Sequence, residues 1–381
     1  MIFQPQLRVP GPTPIPDRVV RAMARPMINH RGPEFADLLN EVIAGVGKVF
    51  KTENRVLVYT SSGTGGLESA LANLISPGDQ VVACIGGSFG ERFAAIAAGY
   101  GAEVTRLEVE WGQAIEPADL EQVLAAQPEA QLVLITHNET STGVTNPLPE
   151  LAEICRRAGK MVLVDGVSSV GSIPFEVDQW GIDVAVTASQ KGFMAPPGLA
   201  FLSLSPRALA RSQAVKNSCF YFDWQRSWKF QQGGSTVFTP AVSVFYGVQE
   251  GLRMLFEEGL ENVYRRHRRL ADAVADGLQA LGFQLLVGEG SRSAVVTAAR
   301  PPSGVEATQL LTRLRQQYGV VIAGGQGKME GEVIRIGHLG AASEGDMVQV
   351  LWSLEAALRE GGQSDKQGLG VAALTRSLVA V

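Results

Sequence analysis

From about residue 50 the chain repeats one pattern. A short apolar run rich in β-branched side chains ends in a polar or glycine-rich cluster, and a helix-spaced stretch follows. The runs are "RVLVYT" before "SSGTGG", "QVVACI" before "GGSFG", "QLVLIT" before "HNETSTG", "MVLVD" before "GVSSVG", "DVAVTAS" before "QKGF" and "LAFLSLS" before "PRALA". They are apolar throughout, without alternation, which predicts strands buried on both faces, as in a mainly parallel sheet covered by helices. Between them "GGLESALANLI", "GERFAAIAAGYG" and "PLPELAEICRRAG" predict helices that close near glycine or proline. The pattern is that of a large, doubly wound α/β domain. A long helical stretch from about 241 to 281 then leads into shorter strands ("FQLLV", "SAVVTAA", "VVIAGG", "VIRIG") and two helices, which predicts a smaller α+β C-terminal domain. No Ser/Gly-rich spacer separates the two, so the boundary is expected within a helix. The expected division is an N-terminal segment over 1–17 that joins the small domain, a large domain over 18–255, the small domain over 256–362, and a loosely docked tail over 363–381.

Bulk properties narrow the partners. Of 381 residues, 45% are hydrophobic and 19% charged, an ordinary globular balance, and the net charge of -5 provides no basic field for nucleic acid or anionic lipid. The segment "YRRHRRLADA" reads as a solvated helix face. Cys84, Cys155 and Cys219 are odd in number and widely spaced, which predicts neither a disulfide framework nor a metal site and fits a reducing, cytoplasmic setting. The start "MIFQPQLRVPGPTPIP" lacks a signal pattern, and no apolar run reaches the roughly 18 residues a membrane span needs.

In open α/β sheets ligands lie beyond the carboxyl ends of the strands, so the clusters ending the apolar runs should converge. "SSGTGG" leads into a helix and would aim backbone N–H groups and the Ser62 and Thr64 hydroxyls at a phosphate, although a permissive turn explains it equally well. Asp165 ends a buried strand, where it could also be a helix N-cap. Lys191 ends the next run, and an ammonium there must lower its pKa, find a carboxylate or be used covalently. Pyridoxal 5'-phosphate unites these features: its phosphate takes a helix N-terminus, its aldehyde a lysine, and its ring nitrogen an aspartate. Phe89, in "GGSFG", could stack on the ring or belong to the core.

"VDGVSSVG" followed by "GIDVAVTASQKGFMAPPGLAFLSLS" resembles the lysine region of the class V aminotransferases, especially the alanine-glyoxylate and serine-pyruvate or serine-glyoxylate group, which includes a cyanobacterial protein labelled a soluble hydrogenase small subunit. "VPGPTPIP", "INHRGPEF", "SSGTGGLESA", "THNETSTGV", "VFTPAVS" and "VIRIGHLG" extend the likeness, in order, over most of the chain. The resemblance implies fold type I of the pyridoxal phosphate-dependent transferases. It implies that Lys191 holds the cofactor, Asp165 faces its ring nitrogen, Val167 packs on the ring and Thr140 contacts the ring oxygen. Ser62, Gly63, Thr64 and Gln190 would bind the phosphate, and Thr239 would reach the phosphate of the neighbouring subunit in a homodimer with shared active sites. Family members often carry tryptophan at the position of Phe89. Arg335, in "VIRIGHLG", matches the arginine that grips the substrate carboxylate; the alternative is a strand arginine facing solvent. His338 is expected to hold a backbone hydrogen bond and not to transfer protons. Alanine or serine as donor and glyoxylate or pyruvate as acceptor are the implied substrates. Two rivals are a lyase of cysteine desulfurase type, for which Cys219 is the arguable nucleophile, and a non-catalytic subunit of a redox (hydrogenase) complex.

Overall fold

The computed structural model describes residues 5–215 and 219–379. Seven strands form the main sheet: β1 (Arg55–Ser61), β2 (Gln80–Ile85), β3 (Glu103–Glu108), β4 (Leu132–Thr136), β5 (Met161–Asp165), β6 (Val184–Ala188) and β7 (Gly198–Leu204). Their order across the sheet is β1-β7-β6-β5-β4-β2-β3. Neighbours run parallel except at β7, which is antiparallel to both β1 and β6. Each of the six apolar runs is one of these strands. The seventh, β3, escapes the pattern because it is an edge: in "EVTRLE" only Leu107 is buried, so the strand keeps polar and charged side chains.

The pleat sends alternate side chains to two separate cores. Val56 and Val58 of β1 join the helices Pro33–Phe50 and Val242–Glu258 on one face, whereas Leu57 and Tyr59 join Gly63–Leu74 and Ser88–Gly99 on the other. The expected continuous helix over 241–281 is instead two, Val242–Glu258 and Leu260–Ala280, because Gly259 between them adopts φ +83°, which a helix interior does not accommodate.

The second helix leads into a four-stranded antiparallel sheet of β8 (Gln284–Leu285), β9 (Val296–Arg300), β10 (Ala323–Gly324) and β11 (Ile334–Gly337), ordered β8-β9-β11-β10. Val320–Val321, within the run read as one strand, pairs instead with Gln6–Leu7 in parallel. Arg8 ties the same N-terminal segment to the C-terminal part through its ion pair with Asp346, and its carbonyl accepts from Gly337 N at 2.7 Å. Residues 1–4 lie outside the described part.

The tail differs from expectation. Leu369–Val379 is a helix whose Gly370, Leu374 and Leu378 repeat every fourth position and pack into the cluster of Leu270, Leu278 and Leu281. Glu355 fixes its start by accepting from Gly368 N (2.9 Å) and Val371 N (2.7 Å). A weakly apolar stretch is thus a docked helix, while residues 380–381 lie outside the description. Among the described residues no helix is long and apolar enough to cross a membrane.

Candidate active site

Loops at the carboxyl ends of the main-sheet strands enclose a cleft of about 240 Å³. The turn after β1 contributes Ser62, Gly63 and Thr64, the helix after β2 contributes Phe89 and Arg92, and the loop after β4 contributes Asn138 and Thr140. Asp165, Val167 and Ser168 come from the end of β5, Gln190 and Lys191 from the turn after β6, and Gly11 and Pro12 from the N-terminal segment.

Ser189 pins the turn that carries Lys191: its Oγ donates to the Pro196 carbonyl at 2.6 Å and accepts from Leu199 N at 3.2 Å. Lys191 is only 8% exposed, and its Nζ donates to the Pro10 carbonyl at 2.5 Å. Burial draws its pKa down from 10.5 to about 8; Asp165 opposes the shift, and Arg335 and Arg92 add to it. Gly11 has φ +136°, and a Cβ there would overlap the lysine amine, so only glycine lets the strap pass this close.

Asp165 pairs with Thr136 and Val186 at the end of β5, and its Oδ1 accepts from Val167 N at 2.9 Å. Burial raises its pKa to about 6 against that N–H; the Glu139 charge pushes the same way as burial, and Lys191 and Arg92 push back. The helix Gly63–Leu74 begins on Ser62, whose Oγ accepts from Gly65 N at 3.4 Å. Helices leave their first N–H groups without internal partners, so this end remains a donor site. It seats tightly on the strand ends: a Cβ at Gly63 would lie 2.7 Å from Val167 Cγ2, and one at Gly66 2.6 Å from Val186 Cγ1.

Thr140 Oγ1 donates to Ser168 Oγ at 3.0 Å, and the Thr140 carbonyl accepts from Arg335 Nη1 at 2.9 Å. Arg335 stands on β11 between Ala298 and Ala323, whose small side chains leave room for it, and its Nε donates to the Gly324 carbonyl at 2.7 Å. It is 5% exposed, which removes the solvent-facing alternative. Burial lowers its pKa to about 10, with Glu139 opposing, and among the described residues no carboxylate lies within ion-pair distance. Arg335 adjoins the cleft through the Thr140 carbonyl and is not part of its lining. Thr239 is exposed and does not line the cleft either. His338 is fully buried, its Nδ1 with the Ala294 carbonyl (3.0 Å) and its Nε2 with Thr297 Oγ1 (2.9 Å).

The sequence pattern does not single out Arg92, Asn138, Glu139 or Ser168. The Arg92 guanidinium lies 4.8 Å over the Phe89 ring, and its Nη1 donates to Thr64 Oγ1 at 3.2 Å. Its i,i+3 spacing from Phe89 on one helix face was the available signal. Asn138 Nδ2 donates to Ser168 Oγ at 3.0 Å, and that hydroxyl donates to the Asn138 carbonyl at 2.9 Å, so the two loops are bonded edge to edge.

One cleft thus joins a helix N-terminus with the hydroxyls of Ser62 and Thr64, a buried amine, a buried carboxylate and an aromatic ring. That donor set fits a phosphorylated aromatic aldehyde with a basic ring nitrogen. The family model described as Aminotransferase class-V matches residues 7–338. The chain belongs to this family.

As a class V aminotransferase it is a pyridoxal phosphate-dependent enzyme of fold type I. It is 38% identical over 383 residues to the serine-glyoxylate aminotransferase of Methylorubrum extorquens, covering 98% of this chain and 95% of the relative. It is 37% identical over 376 residues to a protein of Synechococcus named soluble hydrogenase, small subunit, covering 98% of both. The crystal structure of ureidoglycine-glyoxylate aminotransferase from Bacillus subtilis superimposes with a TM-score of 0.93 at 30% identity, over 99% of this chain and 98% of that one. The aminotransferase transfers amino groups between amino acids and 2-oxo acids.

Proposed function

We propose that the enzyme moves the amino group of a small amino acid, alanine or serine, to glyoxylate or pyruvate. Bound in the cleft, pyridoxal phosphate supplies an aldehyde that takes up the amino group and a protonated ring that draws off the electron pair of the Cα–H bond. In this reading Lys191 holds the aldehyde. Ser62, Gly63, Thr64 and Gln190 would hold the phosphate, Phe89 and Val167 would flank the ring, and Thr140 would contact its oxygen. Asp165, one of whose oxygens is held by Val167 N, would face the ring nitrogen and stabilise its proton. Once displaced, the Lys191 amine would take the Cα proton, and the burial that draws its pKa down favours the neutral form a general base needs.

The observation that carries the substrate reading is Arg335. A buried guanidinium is costly without an anion, and here Nε and Nη1 are spent on the carbonyls of Gly324 and Thr140 while no carboxylate of the described chain pairs with it. A substrate carboxylate at the remaining Nη2 completes it, and that contact serves donor and acceptor acids alike. The names of the relatives, one acting on serine and one on ureidoglycine, both with glyoxylate, support a glyoxylate acceptor. Turnover of alanine, serine, aspartate and glycine against glyoxylate and pyruvate tests it. No turnover of alanine or serine with either acceptor would refute it.

The same reading makes the enzyme a homodimer. Thr239 is exposed beside Phe238, whose ring stacks on Tyr221 at 4.9 Å, with Phe220 74% exposed next to it. An apolar patch of this kind supports cover by a second copy, which brings Thr239 to the partner's phosphate. The desulfurase reading is disfavoured by Cys219, which does not line the cleft and whose thiol is raised in pKa by burial. The redox-subunit reading is separated by an absorption spectrum: a cofactor band that moves on adding alanine or serine supports transamination.

A further inference from the structure

The helix that begins in "GGSFG" does not offer its N-terminus to the cleft. Its first N–H groups point at a carboxylate of the protein itself. Glu139 accepts from Phe89 N (3.1 Å to Oε2), Gly90 N (3.0 Å), Ser141 N (3.1 Å) and Ser141 Oγ (2.5 Å). Ser141 Oγ in turn accepts from Ser88 N at 2.9 Å. The side chain is 1% exposed; burial raises its pKa, and the three N–H groups and the hydroxyl that donate to it work against that rise. The second glycine of the motif follows from it: a Cβ at Gly87 would overlap both the Glu139 carboxylate and Ser141 Oγ.

Glu139 therefore grips the backbone of Phe89 directly. The residue after it, Thr140, carries the carbonyl that receives Arg335 and the hydroxyl bonded to Ser168. No cation of the described chain forms an ion pair with Glu139, and its charge opposes the burial cost of Arg335. One carboxylate thus lies between the ring at the cofactor cleft and the guanidinium on the small sheet.

We propose that Glu139 is a positioning residue that sets the Phe89 ring and the Thr140–Arg335 clamp together, so that cofactor face and substrate grip are held by one side chain. The proposal rests on the roles given above to Phe89 and Arg335. Glu139→Gln tests it with almost no change of shape. The amide NH2 must meet one of the N–H groups that now donate to a carboxylate, leaving buried donors facing each other.

The expected result with the holoenzyme is threefold. The circular dichroism of the bound cofactor weakens, the Kd of the cofactor rises about tenfold, and KM for the 2-oxo acid rises by about the same factor, the scale of one charge-assisted hydrogen bond. A variant with a lowered melting temperature but wild-type cofactor dichroism, Kd and KM would overturn the proposal, since Glu139 would then only stabilise the fold. If Glu139→Gln does not fold, Gly87→Ala displaces the carboxylate while retaining it. The same three changes are expected of Gly87→Ala, and wild-type values for it would overturn the proposal equally. Cofactor dichroism and Kd need no substrate, so they read Glu139 even if the panel of amino acids shows that glyoxylate and pyruvate are not the acceptors.

Discussion

Lys191 carries its reactivity at the expense of stability, and the size of that cost follows from its surroundings. Its pKa falls from 10.5 to about 8 chiefly through burial, with Asp165 opposing, which corresponds to roughly 3 kcal/mol against the charged form. In the cofactor-free protein at pH 7 the amine is protonated in both folded and unfolded chains, so the full cost is present. Lys191→Met keeps the length of the side chain and removes the charge. It also leaves the Pro10 carbonyl without its donor, a loss of about 1 kcal/mol, so the variant gains a net of about 2 kcal/mol. The pH dependence has a definite sign. Between pH 8 and 10.5 the folded chain has released this proton while the unfolded chain still holds it, and the wild type therefore gains stability as pH rises. Urea unfolding of both cofactor-free proteins at pH 7 and pH 9.5 should show the variant ahead at pH 7 and most of its lead gone at pH 9.5. A variant less stable than wild type at pH 7, or a lead that does not change with pH, would refute the reasoning.

Arg335→Gln is expected to lower kcat/KM for the 2-oxo acid by about a hundredfold, the scale of a lost charge-assisted hydrogen bond in a buried site, with the cofactor spectrum unchanged; steady-state kinetics on a substrate series measures it. Arg92→Met removes the cation over Phe89 and the donor to Thr64, and should raise the cofactor Kd about fivefold with a weaker dependence on salt, read by fluorescence titration of the cofactor-free protein. Gly259→Ala forces a side chain into φ +83° and should cost about 1 kcal/mol in urea unfolding while leaving kcat unchanged.

The parts of the fold that were legible in the sequence are those where one force dominates. Six strands announced themselves because burial on both faces admits only apolar residues, whereas β3 at the edge keeps Glu103, Arg106 and Glu108 and resembles a loop. The helix break at Gly259 and the docking of Leu369–Val379 depend on backbone conformation and on a receiving surface elsewhere in the chain, neither of which local periodicity reports. At the site, Ser62, Gly63, Thr64, Phe89, Thr140, Asp165, Val167, Gln190 and Lys191 lie together because each follows a strand end, where the topology gathers loops. Arg92 looks in sequence like any exposed helix arginine, and Glu139 like a loop carboxylate. Their significance appears only once the strand order brings the loop after β4 against the helix after β2. Thr239 is a different case, for what it faces lies beyond a single chain.

The central claim is that the side-chain nitrogen of Lys191 carries the cofactor. Borohydride reduction of the cofactor-saturated protein, followed by proteolysis and peptide mass spectrometry, should find the added pyridoxyl phosphate mass on the peptide containing "TASQKGF", at Lys191. Recovery of that peptide unmodified, or of the added mass on another lysine, would contradict it.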